Sequence, residues 1–260
     1  MLIKITESCS MGCPHCLNDS KPNGRDMSMD TARLVMRFIK KYLNDSRSST
    51  YLISGGEPTE HHDFMKICEY FLDEIEKLRG IKYVVITTNG FWILSHKDEA
   101  RKLVSRSRQG MEVFFQISAD KRYYPKRLDV SDPIWKEKGF MLVDNCVGWV
   151  YPLGRAKGKG YHINHKATAC ANIRLVAAQM GSENKLSRIL DVLKASGKVC
   201  TPSIKVDGGI GLGESDLCPS VGSVFMSDED ILKAIRSFRC NKCYPLNRNL
   251  AKPIREMLGE

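Results

Sequence analysis

Cys9-Ser10-Met11-Gly12-Cys13-Pro14-His15-Cys16 sets three cysteines at C-x3-C-x2-C spacing directly after the short apolar alternation Leu2, Ile3, Ile5. Alternation of that kind reads as a strand, so a strand delivers three thiols into one loop. Gly12 and Pro14 mark the loop as irregular, which argues against three ordinary core cysteines. A structural zinc site closes with four Cys/His ligands, and three thiolates are one short. A cubane of four irons and four sulfides on three thiolates keeps one iron open for another ligand. His15 is the alternative fourth ligand of a zinc site, but between Pro14 and Cys16 its ring is poorly placed to reach a metal its neighbour already holds.

Working outward, Leu34, Val35, Phe38, Ile39 and Tyr42 recur at helical spacing within 27–43, with Ser28 as N-cap. A strand at 51–53 runs into Ser54-Gly55-Gly56-Glu57-Pro58, and after Asp63 the stripe Phe64, Ile67, Cys68, Phe71, Leu72, Ile75, Leu78 predicts a helix with Cys68 as core. A β-branched strand over 83–88 ends in Asn89-Gly90; a weaker helix covers about 95–107, and 113–118 is the fourth strand. Strand and helix alternate, which calls for a parallel sheet with crossover helices. Enzymes of this build gather their chemistry at the carboxyl ends of the strands. The cysteine loop, Gly55-Gly56-Glu57, Thr88-Asn89-Gly90 and Ser118-Ala119-Asp120 each follow a strand and should share one rim. Gly55 and Gly56 let backbone approach a ligand closely, and Glu57 can accept hydrogen bonds from an ammonium group.

Past Asp132, Pro133 opens a helix through about Lys138, and 147–151 reads as a strand ending in Pro152-Leu153-Gly154-Arg155-Ala156. Only about 28 residues separate it from the fourth strand, room for one crossover. The expected fold is α/β, a partial (β/α) barrel of five or six parallel strands. In the second half, Cys200, Gly213 and Cys218 fit C-x12-G-x4-C and Cys240-Asn241-Lys242-Cys243 adds C-x2-C, so four thiolates are available for one closed site. Zinc suits that set as well as iron-sulfur does. Ile204-Lys205-Val206 and Ile210 flank Asp207-Gly208-Gly209, a hairpin signal, and Ser227 caps a helix carrying Ile231, Leu232, Ile235 and Phe238.

The octet resembles the signature of the radical S-adenosylmethionine (radical SAM) superfamily, C-x3-C-x-aromatic-C, with His15 at the usually aromatic position. The resemblance implies a 4Fe-4S cluster on Cys9, Cys13 and Cys16 whose open iron is chelated by the amino and carboxylate groups of SAM. One electron then cleaves the sulfonium to a 5'-deoxyadenosyl radical. It further implies that His15 lies against the adenine and that Gly55-Gly56-Glu57 is the GGE motif that contacts the methionyl amino group. Asn89 joins the SAM-binding set, and Ser118 and Asp120 stand where relatives bind the SAM ribose, with Asp120 facing substrate as the alternative. The second half resembles the twitch domain, the single-cluster form of the SPASM domain, and relatives with extra cluster domains often carry a similar P-x-G-R-A. A full SPASM pattern needs C-x2-C-x5-C-x3-C, and no cysteine follows Cys243. The implied layout is a radical SAM core over 1–155, a partly helical connection over 156–199, and a twitch-like domain over 200–260 with one auxiliary 4Fe-4S cluster on Cys200, Cys218, Cys240 and Cys243. Cys170 is an alternative ligand to Cys200 or a hydrogen-atom donor. With Asp120 and Cys146 it completes the catalytic candidates, while buried structural thiols remain the plainer reading of both cysteines.

At 260 residues the chain can bury one full core and a satellite. No apolar run reaches a membrane span and no signal-peptide pattern opens the sequence, so a cytoplasmic, non-membrane protein is expected. Ten cysteines then argue for metal ligands over disulfides, and for sensitivity to oxygen. Net charge is +10, concentrated at Lys121, Arg122, Lys126, Arg127 and at Arg155, Lys157, Lys159, Lys166 with His162 and His165. Those clusters suggest an acidic peptide or a small polar or phosphorylated substrate; a solvated face is the bland alternative, and nucleic acid has only the net charge in its favour. By resemblance, oxidative modification or cross-linking of a ribosomally made peptide leads, although no N-terminal extension offers a leader-binding domain. A small-molecule dehydrogenase or epimerase of the twitch type comes second, and a metal-stabilised binding module is the non-catalytic reading. Flavodoxin or ferredoxin is the expected electron donor.

Overall fold

The computed structural model describes residues 1–16, 18–43, 49–119, 123–143, 154–156, 202–212 and 220–237. In chain order these form β1 (Leu2–Thr6), α1 (Met29–Leu43), β2 (Thr50–Gly55), α2 (Phe64–Ile75), β3 (Tyr83–Thr88), α3 (Phe91–Ser95), α4 (Lys97–Val104), β4 (Glu112–Ser118), β5 (Phe140–Val143), β6 (Pro202–Ile204), β7 (Gly209–Leu212), β8 (Ser220–Ser223) and α5 (Asp228–Ser237). One open eight-stranded sheet runs β5-β4-β3-β2-β1-β6-β7-β8. β1 to β5 are parallel and stand in sequence order, the arrangement of a barrel that begins to curl and does not close.

Alternation along each strand decides what its two faces carry. Ile3, Ile5, Tyr51, Ile53, Val84, Ile86, Val113, Phe115 and Ile117 are fully buried in one core with Val35, Phe38 and Ile39 of α1, Phe71, Leu72 and Ile75 of α2, and Leu103 of α4. Each such side chain contributes about 1.5–3 kcal/mol on burial, and truncating Phe71 to Ala should cost about 3–5 kcal/mol. The opposite face is only partly covered. There Lys4 stands opposite Ser54, and Thr87 opposite Gln116, which in turn faces Met141. A polar row therefore crosses the sheet one step below the strand ends.

Helix starts follow local chemistry. Ser28 Oγ accepts from Thr31 N at 3.1 Å, capping α1, and Lys40 and Lys41 sit in its last turn, where cations suit the helix dipole. The helix expected over about 95–107 forms as α4, and a short helix that was not foreseen, α3, precedes it, broken from it at His96, whose ring stacks on Trp92 at 4.8 Å. The helix expected after Pro133 is one 3-10 turn, Pro133–Lys136, with Asp132 Oδ1 accepting from Ile134 N at 3.0 Å. β5 was not foreseen. Gly139 leads into it at φ +93°, and a Cβ there would meet Val104 Cγ1 at 2.0 Å. The strand expected over 147–151 lies outside the described residues.

The hairpin forms as expected, with Ile204 opposite Ile210 and Gly208 at φ +78° in its turn. It is not free-standing: β6 lies parallel to β1, pairing Ser203 with Leu2 and Ile204 with Ile3. Ser227 Oγ accepts from Asp230 N to cap α5. Arg37 of α1 pairs with Asp228 at 3.0 Å and donates to the carbonyls of Val224 and Met226, tying this part to the core. Among the described residues no helix is long and apolar enough to cross a membrane.

Candidate metal-cluster and cofactor site

The cysteine loop is spliced to β2 by backbone. Gly56 N donates to Thr6 O at 2.8 Å and Glu57 N to Ser8 O at 2.7 Å, which carries the β1–β2 pairing up to the residue before Cys9. This explains the two glycines: a Cβ on Gly55 would meet Thr6 O at 2.3 Å, and one on Gly56 would meet Ser8 O at 2.2 Å. The backbone that approaches them is the chain's own, where the sequence reading put a ligand. Cys9 N donates to Lys21 O at 2.9 Å, and Glu60 accepts from Ser10 N at 2.9 Å and Ser10 Oγ at 2.8 Å.

At the loop's far end Arg155 makes the ties. Its backbone N donates to Cys16 O at 2.9 Å, Nη1 to Cys13 O at 3.0 Å, Nε to Asp19 Oδ1 at 3.0 Å, and Nη2 to Ser20 O. Sequence reading counted Arg155 among the charges facing a substrate; here its side chain is 19% exposed and engaged in the loop. Neither Glu60 nor Arg155 was singled out as loop-holding, and neither carries a local signal for it, since their partners lie 50 and 142 residues away.

Cys13 is buried, and Cys9 and Cys16 are half-buried. Burial pushes the Cys9 thiol up to about 11, with Glu57, Glu60 and Cys16 adding to the rise. Burial pushes Cys13 up to about 12; Cys9 and Cys16 raise it further and Arg155 opposes them. The Cys9 and Cys13 thiols thus sit in a partly dry pocket and hold their protons until a cation replaces them. Tetrahedral ligands of one zinc stand about 3.8 Å apart, from the 2.3 Å Zn–S bond. Among the described residues, the set of three donors lying within 4.8 Å of one another is Asp26, His61 and His62, not the cysteines. The Asp26 set does not make a metal site, because His61 Nε2 bonds Met27 O and His61 Nδ1 accepts from Asp63 N.

Glu57 is the buried carboxyl group of the rim. Oε1 accepts from Thr59 Oγ1 at 2.7 Å, Thr59 N at 3.2 Å and Thr88 Oγ1 at 2.6 Å; Oε2 accepts from Asn89 N at 2.7 Å. Burial raises its pKa, and those hydrogen bonds work against the rise. Glu57 therefore locks the ends of β2 and β3 together beside Cys9. Asn89 Oδ1 accepts from Phe91 N at 3.1 Å, starting α3 behind Gly90 at φ +85°. His15 packs its ring 5.3 Å from both Tyr123 and Tyr124, an aromatic group over the loop. A cleft beside it is lined by Met11, Asn89, Ser118, Tyr124, Lys126 and Arg127, among others. The fold thus brings Cys9, Cys13, Cys16, Glu57, Asn89 and Ser118 to one rim. Asp120, Cys146, Cys170, Cys200, Cys218, Cys240 and Cys243 lie outside the described residues, as do Lys121, Arg122, Lys157, Lys159, His162, His165 and Lys166.

A loop of three clustered thiols at the carboxyl ends of a curled parallel sheet defines the class. Residues 3–127, just under half of the chain, match the family model of the Radical SAM superfamily. Its curated relatives include the GTP 3',8-cyclase of Vibrio cholerae serotype O1 (strain ATCC 39315 / El Tor Inaba N16961), 31% identical over 129 residues, or 46% of this chain and 37% of that protein. The GTP 3',8-cyclase of Vibrio vulnificus (strain YJ016) is 28% identical over 129 residues, 47% of this chain and 37% of that protein. The chain thus spans little more than a third of the length of these relatives. Among solved structures, BtrN in complex with AdoMet and 2-DOIA superposes with a TM-score of 0.53 over 95% of this chain and 84% of that one, at 12% identity. That likeness is one of fold.

Proposed function

We propose that this chain is a radical SAM enzyme that removes hydrogen from carbon of an acidic substrate and completes an oxidation or cross-link. The observation that carries the reading is the convergence of the three thiols with Glu57, Asn89 and Ser118 at the rim of a half-covered sheet face. Cys9, Cys13 and Cys16 fit a 4Fe-4S cluster with one iron left for SAM. When bound, the cluster would give one electron to SAM, and the cleaved SAM would supply a 5'-deoxyadenosyl radical.

The chain's own part is to bind, orient and shield. Glu57, fixed by four hydrogen bonds, offers negative charge beside Cys9 where the methionyl ammonium of SAM needs it. His15 with Tyr123 and Tyr124 gives the adenine an aromatic wall, and Asn89 and Ser118 line the adjoining cleft for polar groups. The row Lys4, Ser54, Thr87 and Gln116 below the rim is where substrate would lie, with Lys4 the cation that meets an acidic group. Lys126 and Arg127 extend the positive charge into the cleft. Cys200, Cys218, Cys240 and Cys243 are assigned to an auxiliary cluster that takes up the second electron, and flavodoxin or ferredoxin to the first.

A peptide with acidic side chains is the leading substrate. A small polar or phosphorylated molecule, oxidised or epimerised, is the second reading, supported by the fold shared with BtrN over nearly the whole chain. Incubating reduced protein and SAM with Asp/Glu-rich peptides in one arm and phosphorylated sugars in the other, with mass spectrometry for loss of hydrogen, separates the two. Turnover of neutral substrates alone, insensitive to salt, would count against both.

A further inference from the structure

Arg155 is the most heavily engaged cation at the site, yet cleavage of SAM does not itself call for it. Four bonds run from this one residue into the loop, and two of them end on carbonyls of cysteines, Cys13 and Cys16. The other two fix Asp19 and Ser20, where the loop turns back toward β1. The turn's own bond, Cys16 N to Cys13 O at 3.1 Å, ends on the same Cys13 carbonyl that Arg155 holds. Gly154 at φ +55° opens the short turn Gly154–Ala156, which presents the Arg155 backbone and side chain together, and Ala156 is buried behind it. A guanidinium is a rigid fork of donors, so it holds several acceptors in fixed relation, which an ammonium on a flexible stem does not.

Resting on the reading that Cys9, Cys13 and Cys16 hold a cluster, we infer that Arg155 is the positioning residue that fixes the Cys13–Cys16 turn. It acts through the ligands' carbonyls, as an outer partner that orients metal ligands without touching the metal. It thereby governs how firmly the cluster is kept and how its open iron meets SAM. Because the clamp arrives from a segment far along the chain, the cluster site is complete only when that segment is docked.

The test uses the full chain with Cys200, Cys218, Cys240 and Cys243 changed to Ala, reconstituted anaerobically so that iron reports one site. This background should hold about four irons and, after reduction with dithionite to the paramagnetic state, change its electron paramagnetic resonance spectrum when SAM is added. Adding Arg155→Ala should speed loss of iron to a chelator at least about tenfold, the lower end of what removing an outer partner costs. It should also remove the SAM-dependent spectral change. Arg155→Lys should fall in between, and millimolar guanidinium ion should restore part of the Arg155→Ala loss. Melting of the apo proteins checks the fold; if Arg155→Ala fails to fold, Arg155→Lys and Arg155→Gln decide by the same release rate. Release at the background rate with an intact SAM response overturns the positioning role and leaves the cluster reading standing. A background that binds no iron overturns the cluster reading, and this inference with it.

Discussion

Glu57 puts a carboxyl group where water does not reach and surrounds it with donors from two segments of the rim, Thr59 and Thr88-Asn89. Removing it as Glu57→Ala strands the N–H groups of Thr59 and Asn89, and unfolding in denaturant should show a loss of about 2–3 kcal/mol, the penalty for buried donors without an acceptor. Its raised pKa also has a sign. Between the ordinary 4.5 and the folded value, the folded chain keeps a proton that the unfolded chain has released. Stability should therefore fall as pH rises through that window, and the cost should persist above it. Glu57→Gln does not titrate and should lack this step, so the parent-minus-variant difference should become less favourable to the parent with rising pH. The opposite slope would mean that the donors, not burial, govern the group.

At the scale of elements, the junction of β1 and β2 sets the cysteine loop. Gly56→Ala drives a methyl into Ser8 O, which cannot rotate away, and overpacking of this kind costs about 1–3 kcal/mol. SAM cleavage should fall with it, because the displaced carbonyl precedes Cys9. Gly12→Ala is the control: its Cβ would meet nothing within 4 Å, so only the strain of φ +67° remains, about 1–2 kcal/mol. A Gly56→Ala enzyme as stable and active as Gly12→Ala would refute the splice. This is also where sequence reading reaches its limit. β1 to β4, α1 and α2 were legible because alternation and helical spacing are local, and the three cysteines because their spacing is chemistry in itself. The glycine pair was legible as a need for closeness but not as to what comes close. β5 was missed because Phe140-Met141-Leu142-Val143 has no alternation, and its entry depends on Gly139 fitting against Val104, a contact between distant segments.

For the whole molecule, β1 is the hinge of the architecture, with β2 on one side and β6 on the other. Asp207-Gly208-Gly209 announced a hairpin, but no local pattern announced its docking on β1. A chain truncated after Ala156 should leave the β1 edge unpaired and aggregate or melt well below the parent; unchanged melting would show that β6 adds nothing to the core. If the four later cysteines close an auxiliary cluster, the parent should hold about eight irons and the four-Ala variant about four, while zinc in place of the second set would favour a structural site. The central claim is narrower than any of these: the loop at the end of β1 is a SAM-cleaving centre. Reduced, iron-loaded protein incubated with SAM alone should form 5'-deoxyadenosine. The Cys9→Ala, Cys13→Ala, Cys16→Ala triple variant, with its second-site iron intact, should form none. Formation by that variant, or its absence from the loaded parent, would contradict the account.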